Sequence, residues 1–354
     1  MSRDDILPLI AAWDGEGVVV RYDKPTDTWI FIAFHSSRLG RPTGGTRLRV
    51  YPDLRAALRD AMRLAEGMTS KWAGLGVRYG GGKAVLAIRR PLDAADRRGL
   101  MLRYGELLET LGAFYTGADL GTGPDDMVHM ARRTRCILGV DSAGHATDPG
   151  PYTARGVAAG LRSALRHRFG DASPAGRRIL IQGLGGVGAP LARRLAAEGA
   201  ELLLCDLESA KAEALAVETD GRIVPVDRVY TEPCDVFAPC AIGGILDRRT
   251  IAMLACQIVV GSANNQLDGE DDADRLRKWG ILYVPDYIVN AGGALTFSLM
   301  ADGVRDEDEL AGRVDAIGSA VADILAEADV AGTTPLVAAR RRVDRLLARS
   351  ADED

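Results

Sequence analysis

Lys83 stands directly behind three glycines, Gly80, Gly81 and Gly82, in the run SKWAGLGVRYGGGKAVLAI, and a strand-like apolar stretch follows it. A lysine is a poor base in water, where its reference pKa is about 10.4. It becomes useful near neutrality when burial, or a second ammonium close by, disfavours its protonated form. Lys71 is the obvious second ammonium. A different chemistry is written further along, in GRRILIQGLGGVGAPLARRLAAEGAELLLCDLESAKAEAL. There a buried strand runs into a glycine turn, a helix, and a second buried strand that closes on Asp206. Gly183, Gly185 and Gly188 fit G-x-G-x-x-G, with Gly186 and Val187 completing the turn, and Asp206 lies at about the separation expected of a ribose-binding acid. Glycines at such a turn let the backbone approach a pyrophosphate, which the free N–H groups of the helix N-terminus then stabilise. An acid with no arginine directly after it favours NAD over NADP, because a carboxylate repels the 2′-phosphate.

These residues need elements to hold them. GVVVRYD and TWIFIAFH are rich in β-branched and aromatic residues and read as strands. PDLRAALRDAMRLAEGM repeats apolar residues at helical spacing, with Asp53 as N-cap and Leu54, Leu58, Ala61, Met62, Ala65 and Met68 on one face. The glycines before Lys83 read as a turn leading into the strand AVLAI, followed by a helix from about Asp93 to Leu111 that Gly112 stops. In YTGADLGTGPDDM, Thr122 and Asp125 are spaced for a capping box. The Gly- and Pro-rich stretch DSAGHATDPGPYTARG is the expected domain boundary. Beyond it DVFAPC, QIVVGSA and ILYVPD extend a parallel sheet, and LVAARRRVDRLLARSADED reads as a solvated C-terminal helix.

With 354 residues and 47% hydrophobic content the chain has material for two domains of ordinary size. A net charge of −5 gives no basic footprint for nucleic acid. Cys136, Cys205, Cys234, Cys240 and Cys256 form no CxxC pair, which suits reduced thiols in the cytoplasm. His35, His129, His145 and His167 are scattered, so no metal site is expected. No signal peptide and no window near the ~20 apolar residues of a membrane span is present, so a soluble cytoplasmic protein is expected.

Taken in order, PTGGTRL, LAEGMTSKWAGL, GGGKAVL, YTGADLGT, QGLGGVG, GSANNQL and PDYIVNAGG resemble the amino acid dehydrogenases that act on glutamate, leucine, phenylalanine and valine. FYTGADLGT, GGGKAV and GSANNQL are most similar to the phenylalanine and leucine branches. The resemblance implies an α/β protein of two domains. Residues 1–145 would form the substrate-binding, catalytic domain, on which helices of about 330–354 pack back. Residues 146–329 would form a Rossmann-type NAD-binding domain, with the active site in the cleft between the two. It further implies a homo-oligomer that oxidatively deaminates an amino acid to a 2-oxo acid and ammonia, reversibly, with NAD as cofactor.

Residue by residue, the resemblance makes Lys83 the general base for water addition and Asp119 its catalytic partner. Lys71 would hold the substrate carboxylate, Gly44 and Gly45 would border the substrate, and Asn265 would serve its amine. Thr153 and Asn264 fall beside the nicotinamide, and Asn290, in the NAGG turn at the cleft, either contacts the cofactor or only caps backbone. In the side-chain pocket, glutamate-specific relatives carry a lysine and a serine where this chain has Thr43 and Phe297, so no cation meets a second carboxylate and an apolar substrate is expected. Gly117 and Ala294 stand where leucine-type enzymes have bulkier residues, which leaves room for an aromatic ring that Phe297 partly fills and puts phenylalanine narrowly ahead of leucine and valine. Two other readings remain: a non-catalytic NAD sensor on the same fold, and another two-domain NAD(P) dehydrogenase of the shikimate type.

Overall fold

The computed structural model describes residues 6–141, 144–269 and 271–351. Ser142 and Ala143, inside the expected boundary, lie outside the described residues, as does the acidic tip 352–354. The chain divides into two compact units. One comprises Met1–Asp148, Phe297–Val304 and Val343–Asp354; the other comprises Pro149–Thr296 and Arg305–Arg342.

In order, the first unit begins with α1 (Leu7–Ala11), β1 (Gly17–Asp23), β2 (Thr28–Ser36), β3 (Pro42–Val50) and α2 (Leu54–Leu75). It continues with β4 (Gly80–Ile88), α3 (Ala94–Leu111), β5 (Tyr115–Ala118) and α4 (Pro124–Ala131). The five-stranded sheet has the order β1-β2-β4-β3-β5, antiparallel from β1 to β4 and parallel from β4 to β5. Asp53 caps α2 by accepting from Ala56 N, and Gly76 ends it in the left-handed conformation. Every residue of β4 is buried because helices cover both faces of the middle strand. Ala84, Leu86 and Ile88 pack with Leu100, Met101, Tyr104 and Leu108 of α3. Val85 and Ala87 pack with Ala57, Leu58, Ala61, Met62 and Ala65 of α2. Strand alternation puts Lys83 on the α2 face with Val85 and Ala87.

Two local expectations are corrected. The glycines before Lys83 are strand residues of β4, not a turn, and none is among the positive-φ glycines. They are required by close approach: a Cβ on Gly81 would lie 1.9 Å from Thr69 Oγ1 of α2, and one on Gly82 would lie 2.8 Å from the Phe114 ring. The capping box at Thr122 and Asp125 does not form. Gly123 is the N-cap of α4, and its N–H is accepted by Asp126 Oδ2 at 2.8 Å. Thr122 is drawn away because its hydroxyl accepts from Asp119 N and donates to Thr46 O, tying the loop after β5 to β3.

From Gly150 the chain forms α5 (Gly150–Phe169), β6 (Arg178–Gln182), α6 (Gly188–Ala197), β7 (Glu201–Cys205), α7 (Ser209–Thr219) and β8 (Arg222–Ile223). Then come β9 (Val236–Pro239), α8 (Arg248–Ile251), β10 (Ile258–Val259), α9 (Asp271–Lys278), β11 (Leu282–Tyr283) and α10 (Asp286–Val289). The chain closes with α11 (Gly292–Ala301), α12 (Glu307–Ala331) and α13 (Pro335–Ala351). The six-stranded sheet is parallel throughout, in the order β8-β7-β6-β9-β10-β11. Counted from β6 this is the 3-2-1-4-5-6 order of a dinucleotide-binding fold, with its switch point between β6 and β9. The C-terminal helix is amphipathic rather than simply solvated: Leu336, Ala338, Ala339 and Val343 are buried while Arg340 and Arg341 are exposed. No described helix is long and apolar enough to cross a membrane.

Candidate active site and nucleotide turn

The parallel register of β4, β3 and β5 sets the first group. Thr43 pairs with Gly81 and Thr46 with Ala84, while Gly45 pairs with Gly117, so Lys83, Gly45 and Gly117 lie in one row across the three strands. Lys83 is 7% exposed, and its Nζ lies 2.8 Å from Asp119 Oδ2. Gly45 makes the space for that pair: a Cβ there would stand 3.0 Å from Lys83 Nζ and 3.0 Å from Asp119 Cβ. Gly44 answers a different need, since its Cβ would lie 1.9 Å from the carbonyl oxygen of Gly82. Burial works against the charge of Asp119, but Lys83 and then Arg47 outweigh it and hold the carboxyl at about 2. Arg47 Nε reaches Asp119 Oδ2 at 3.3 Å, and its Nη1 reaches Asp60 Oδ2 of α2 at 2.9 Å. Asp60 also accepts from Tyr51 OH at 2.6 Å and from Arg63. Lys71 sits in the last turns of α2, half-buried.

Further along the same row is the expected side-chain pocket. A Cβ on Gly117 would meet only Leu138 among the described residues, at 3.4 Å. No atom of Phe297 lies within 4 Å of that position. Its ring lies against Gly139, whose Cβ would be 2.6 Å from the Phe297 Cε2, and Gly139 has a φ of 76°. Thr43 is fully buried and donates its hydroxyl proton to Arg41 O at 3.0 Å. Arg41 itself pairs with Asp302 at 2.8 Å and lies over the Tyr115 ring.

The second group is built at the end of β6. Gly183 has a φ of 92°, and its Cβ would be 2.7 Å from that of Ala241, so only glycine fits the first turn position. A Cβ on Gly188 would be 1.8 Å from Gly183 O, which fixes the close entry into α6. Gly185 and Gly186 are exposed, and a Cβ on either would meet nothing within 4 Å. Bare backbone at a helix N-terminus, open on its outer side, fits a dinucleotide pyrophosphate. Asp206 clamps this turn: Oδ2 accepts from Leu184 N at 2.6 Å and Oδ1 from Glu208 N at 2.9 Å. Burial opposes its charge, but those backbone donors keep its carboxyl below the ordinary value. Its remaining lone pairs stay available to a ribose.

The residues expected near the nicotinamide form a third cluster in the same unit. Thr153 Oγ1 donates to Pro149 O and accepts from Gly293 N at 3.2 Å. Asn290 is buried, and its amide donates to Asn264 Oδ1 at 2.6 Å and to Ser262 O at 3.2 Å. Asn264 and Asn265 are exposed, and Asn265 takes a φ of 53° while its N–H donates to Asp286. Ala294 is half-buried in α11. No group of three or more His, Cys, Asp or Glu side chains among the described residues is placed to hold a metal. Sequence reasoning read Arg47 as structural and missed Asp60 and Tyr51; the one signal toward them is that Arg47 lies two residues past Gly45 on the same strand face.

Residues 26–136 match the family described as Glu/Leu/Phe/Val dehydrogenase, dimerisation domain. Residues 203–303 match the one described as Glutamate/Leucine/Phenylalanine/Valine dehydrogenase. The chain is 38% identical over 337 residues to a phenylalanine dehydrogenase of Bacillus thermotolerans, covering 93% of this chain and 87% of that one. It is 38% identical over 293 residues to a leucine dehydrogenase of Thermoactinomyces intermedius, covering 82% and 79%. The crystal structure of L-tryptophan dehydrogenase from Nostoc punctiforme superposes with a TM-score of 0.85 at 33% identity, covering 98% of this chain and 99% of that chain. These likenesses set aside a shikimate-type enzyme. The chain belongs to the Glu/Leu/Phe/Val dehydrogenase family, and is an amino acid oxidoreductase of the NAD(P)-dependent kind.

Proposed function

We propose that this chain catalyses the reversible, NAD-dependent oxidative deamination of an apolar L-amino acid to its 2-oxo acid and ammonia, with phenylalanine as leading substrate. One observation carries the reading: a lysine buried in the middle strand has its Nζ 2.8 Å from a carboxylate, with glycine backbone where a side chain would otherwise crowd them. When bound, the nicotinamide cofactor supplies the hydride acceptor. Gly183, Gly185, Gly186, Val187 and Gly188 hold its pyrophosphate, and Asp206 takes the ribose and repels a 2′-phosphate. Lys71 binds the substrate carboxylate. Lys83, as the neutral amine, takes the proton of the water that adds to the substrate iminium and becomes the ammonium that Asp119 stabilises, and Asp119 carries protons to and from the nitrogen. Because Asp119 is held at about 2, it is a carboxylate at neutral pH and enters the cycle as an acceptor.

Two features support an aromatic substrate. The space beside Gly117 is bordered by Leu138, and Phe297, whose ring is seated on Gly139, has no atom within 4 Å of a Gly117 Cβ. A glutamate side chain would find Thr43 bonded to backbone and Arg41 paired with Asp302. The likeness to an L-tryptophan dehydrogenase adds tryptophan to the substrates worth testing. We further propose a cytoplasmic homo-oligomer; a matched domain is described as a dimerisation domain. The test is NADH absorbance with phenylalanine, tryptophan, leucine, valine and glutamate, repeated with Lys83→Ala. Phenylalanine should lead, glutamate should be poor, and Lys83→Ala should lose ~10² to 10⁴ in turnover. No NADH formation with any of the five amino acids would overturn the proposal; an active Lys83→Ala would remove Lys83 as base.

A further inference from the structure

Lys83 and Arg47 converge on one oxygen of Asp119, at 2.8 Å and 3.3 Å. Behind Arg47 the charges continue to alternate: Asp60 at 2.9 Å, itself held by Tyr51 and Arg63. All of these side chains but Arg63 are largely withdrawn from solvent; Arg47 and Asp60 are 15% and 14% exposed. Two ammonium-type donors on a single carboxylate oxygen compete, so whatever Arg47 takes from Asp119 is not available to Lys83.

We propose that Arg47, oriented by Asp60, is a positioning residue that sets the proton affinity of the Lys83–Asp119 pair and so the pH at which the enzyme becomes active. The inference rests on the reading of Lys83 and Asp119 as the proton-transfer pair. Four groups of surroundings bear on Asp119. Lys83 faces it from β4, Arg47 from β3, Asp60 and Arg63 lie behind Arg47 on α2, and the backbone N–H of Leu120 meets it from the segment after β5. Tyr51 contributes its hydroxyl to Asp60. A guanidinium beside the pair disfavours an added proton there; a carboxylate behind the guanidinium moderates that effect. Removing the two therefore has opposite consequences. A single ammonium in place of the guanidinium keeps the charge but cannot bridge Asp119 and Asp60 with a rigid fork.

The experiment is the pH dependence of kcat and kcat/KM in the intact enzyme with NAD and its best amino acid, for wild type, Arg47→Met, Arg47→Lys and Asp60→Asn. Arg47→Met should move the acidic limb of the profile to higher pH by about one pH unit. Asp60→Asn should move it the other way by less, and Arg47→Lys should hold the limb near wild type while lowering kcat. A merely structural role would lower stability or activity at every pH without these opposed shifts. If Arg47→Met does not fold, the acid-ward shift of Asp60→Asn decides. Unmoved limbs in folded Arg47→Met and Asp60→Asn overturn this inference while leaving the reading intact, provided Lys83→Ala is inactive. An active Lys83→Ala overturns the reading itself.

Discussion

Replacing Asp119 with asparagine removes the charge that Lys83 and Arg47 share while keeping the side chain's shape. Asp119 is depressed from an ordinary value of 3.8 to about 2 against its own burial. At ~1.36 kcal/mol per pKa unit, ionised Asp119 contributes roughly 2 kcal/mol to folding. The sign follows from the direction of the change. A carboxyl whose folded pKa is depressed stabilises the fold above its unfolded pKa, and that contribution disappears as pH falls from about 4 toward about 2. Asparagine mimics the protonated state at every pH. Urea unfolding of wild type and Asp119→Asn, run in parallel from pH 7 to pH 3, should show wild type more stable by roughly 2 kcal/mol at pH 5 to 7. The gap should narrow steadily below pH 4. Turnover by the folded variant should fall by ~10² or more, since it removes a proton carrier. Equal stability of the two proteins at pH 7, or a gap that stays constant down to pH 3, refutes the electrostatic account of the pair.

Lys71→Ala removes a charge-assisted bond to a carboxylate present throughout the reaction, so KM for the amino acid should rise roughly ten- to a hundredfold with a smaller change in kcat. An unchanged KM would take Lys71 out of substrate binding. Asp206→Ser should narrow the preference for NAD over NADP by roughly tenfold or more, as read from kcat/KM for the two cofactors; a wild type that already prefers NADP would contradict the ribose assignment. Phe297→Val removes a ring that rests on Gly139 and so should lower kcat/KM for phenylalanine relative to leucine. The expected loss is about two- to twelvefold, the worth of an edge-to-face contact of ~0.5 to 1.5 kcal/mol. A gain for phenylalanine would show instead that the ring obstructs the pocket.

The helices and strands were legible where local chemistry decides them. Asp53 and Asp93 cap α2 and α3, Gly112 ends α3, and the βαβ unit of β6, α6 and β7 closes on Asp206 as its spacing indicates. What stayed hidden is set by partners distant in sequence. The Thr122 hydroxyl accepts from Asp119 N and donates to Thr46 O, and these bonds replace a capping box that the local pattern allows. The Arg47–Asp60 contact joins β3 to α2, and nothing in GGTRL says which side chain will meet that arginine. The same limit applies to Asn290. Its position is plain in the sequence, but its engagement with Asn264 and Ser262 depends on how the segments after β10 and α10 are brought together.

Glycine shows most directly why a motif can be seen before its role is understood. Near Lys83 the glycines have ordinary extended backbone, and what selects them is the absence of a side chain. Gly81 admits Thr69, Gly44 admits the Gly82 carbonyl, and Gly45 admits the ammonium of Lys83 and the Asp119 side chain. At the nucleotide turn two physical demands act side by side. Gly183 is selected by its positive φ and its crowding against Ala241, whereas Gly185 and Gly186 have open space around them. No contact within the protein forbids a Cβ on either, and the backbone there is open to something that approaches from outside. Crowded glycines account for the fold, and uncrowded ones in an exposed turn point to a ligand. By that criterion Gly185 and Gly186 carry the stronger argument for a bound dinucleotide, and Gly45 the stronger argument for a lysine–aspartate pair built into the sheet.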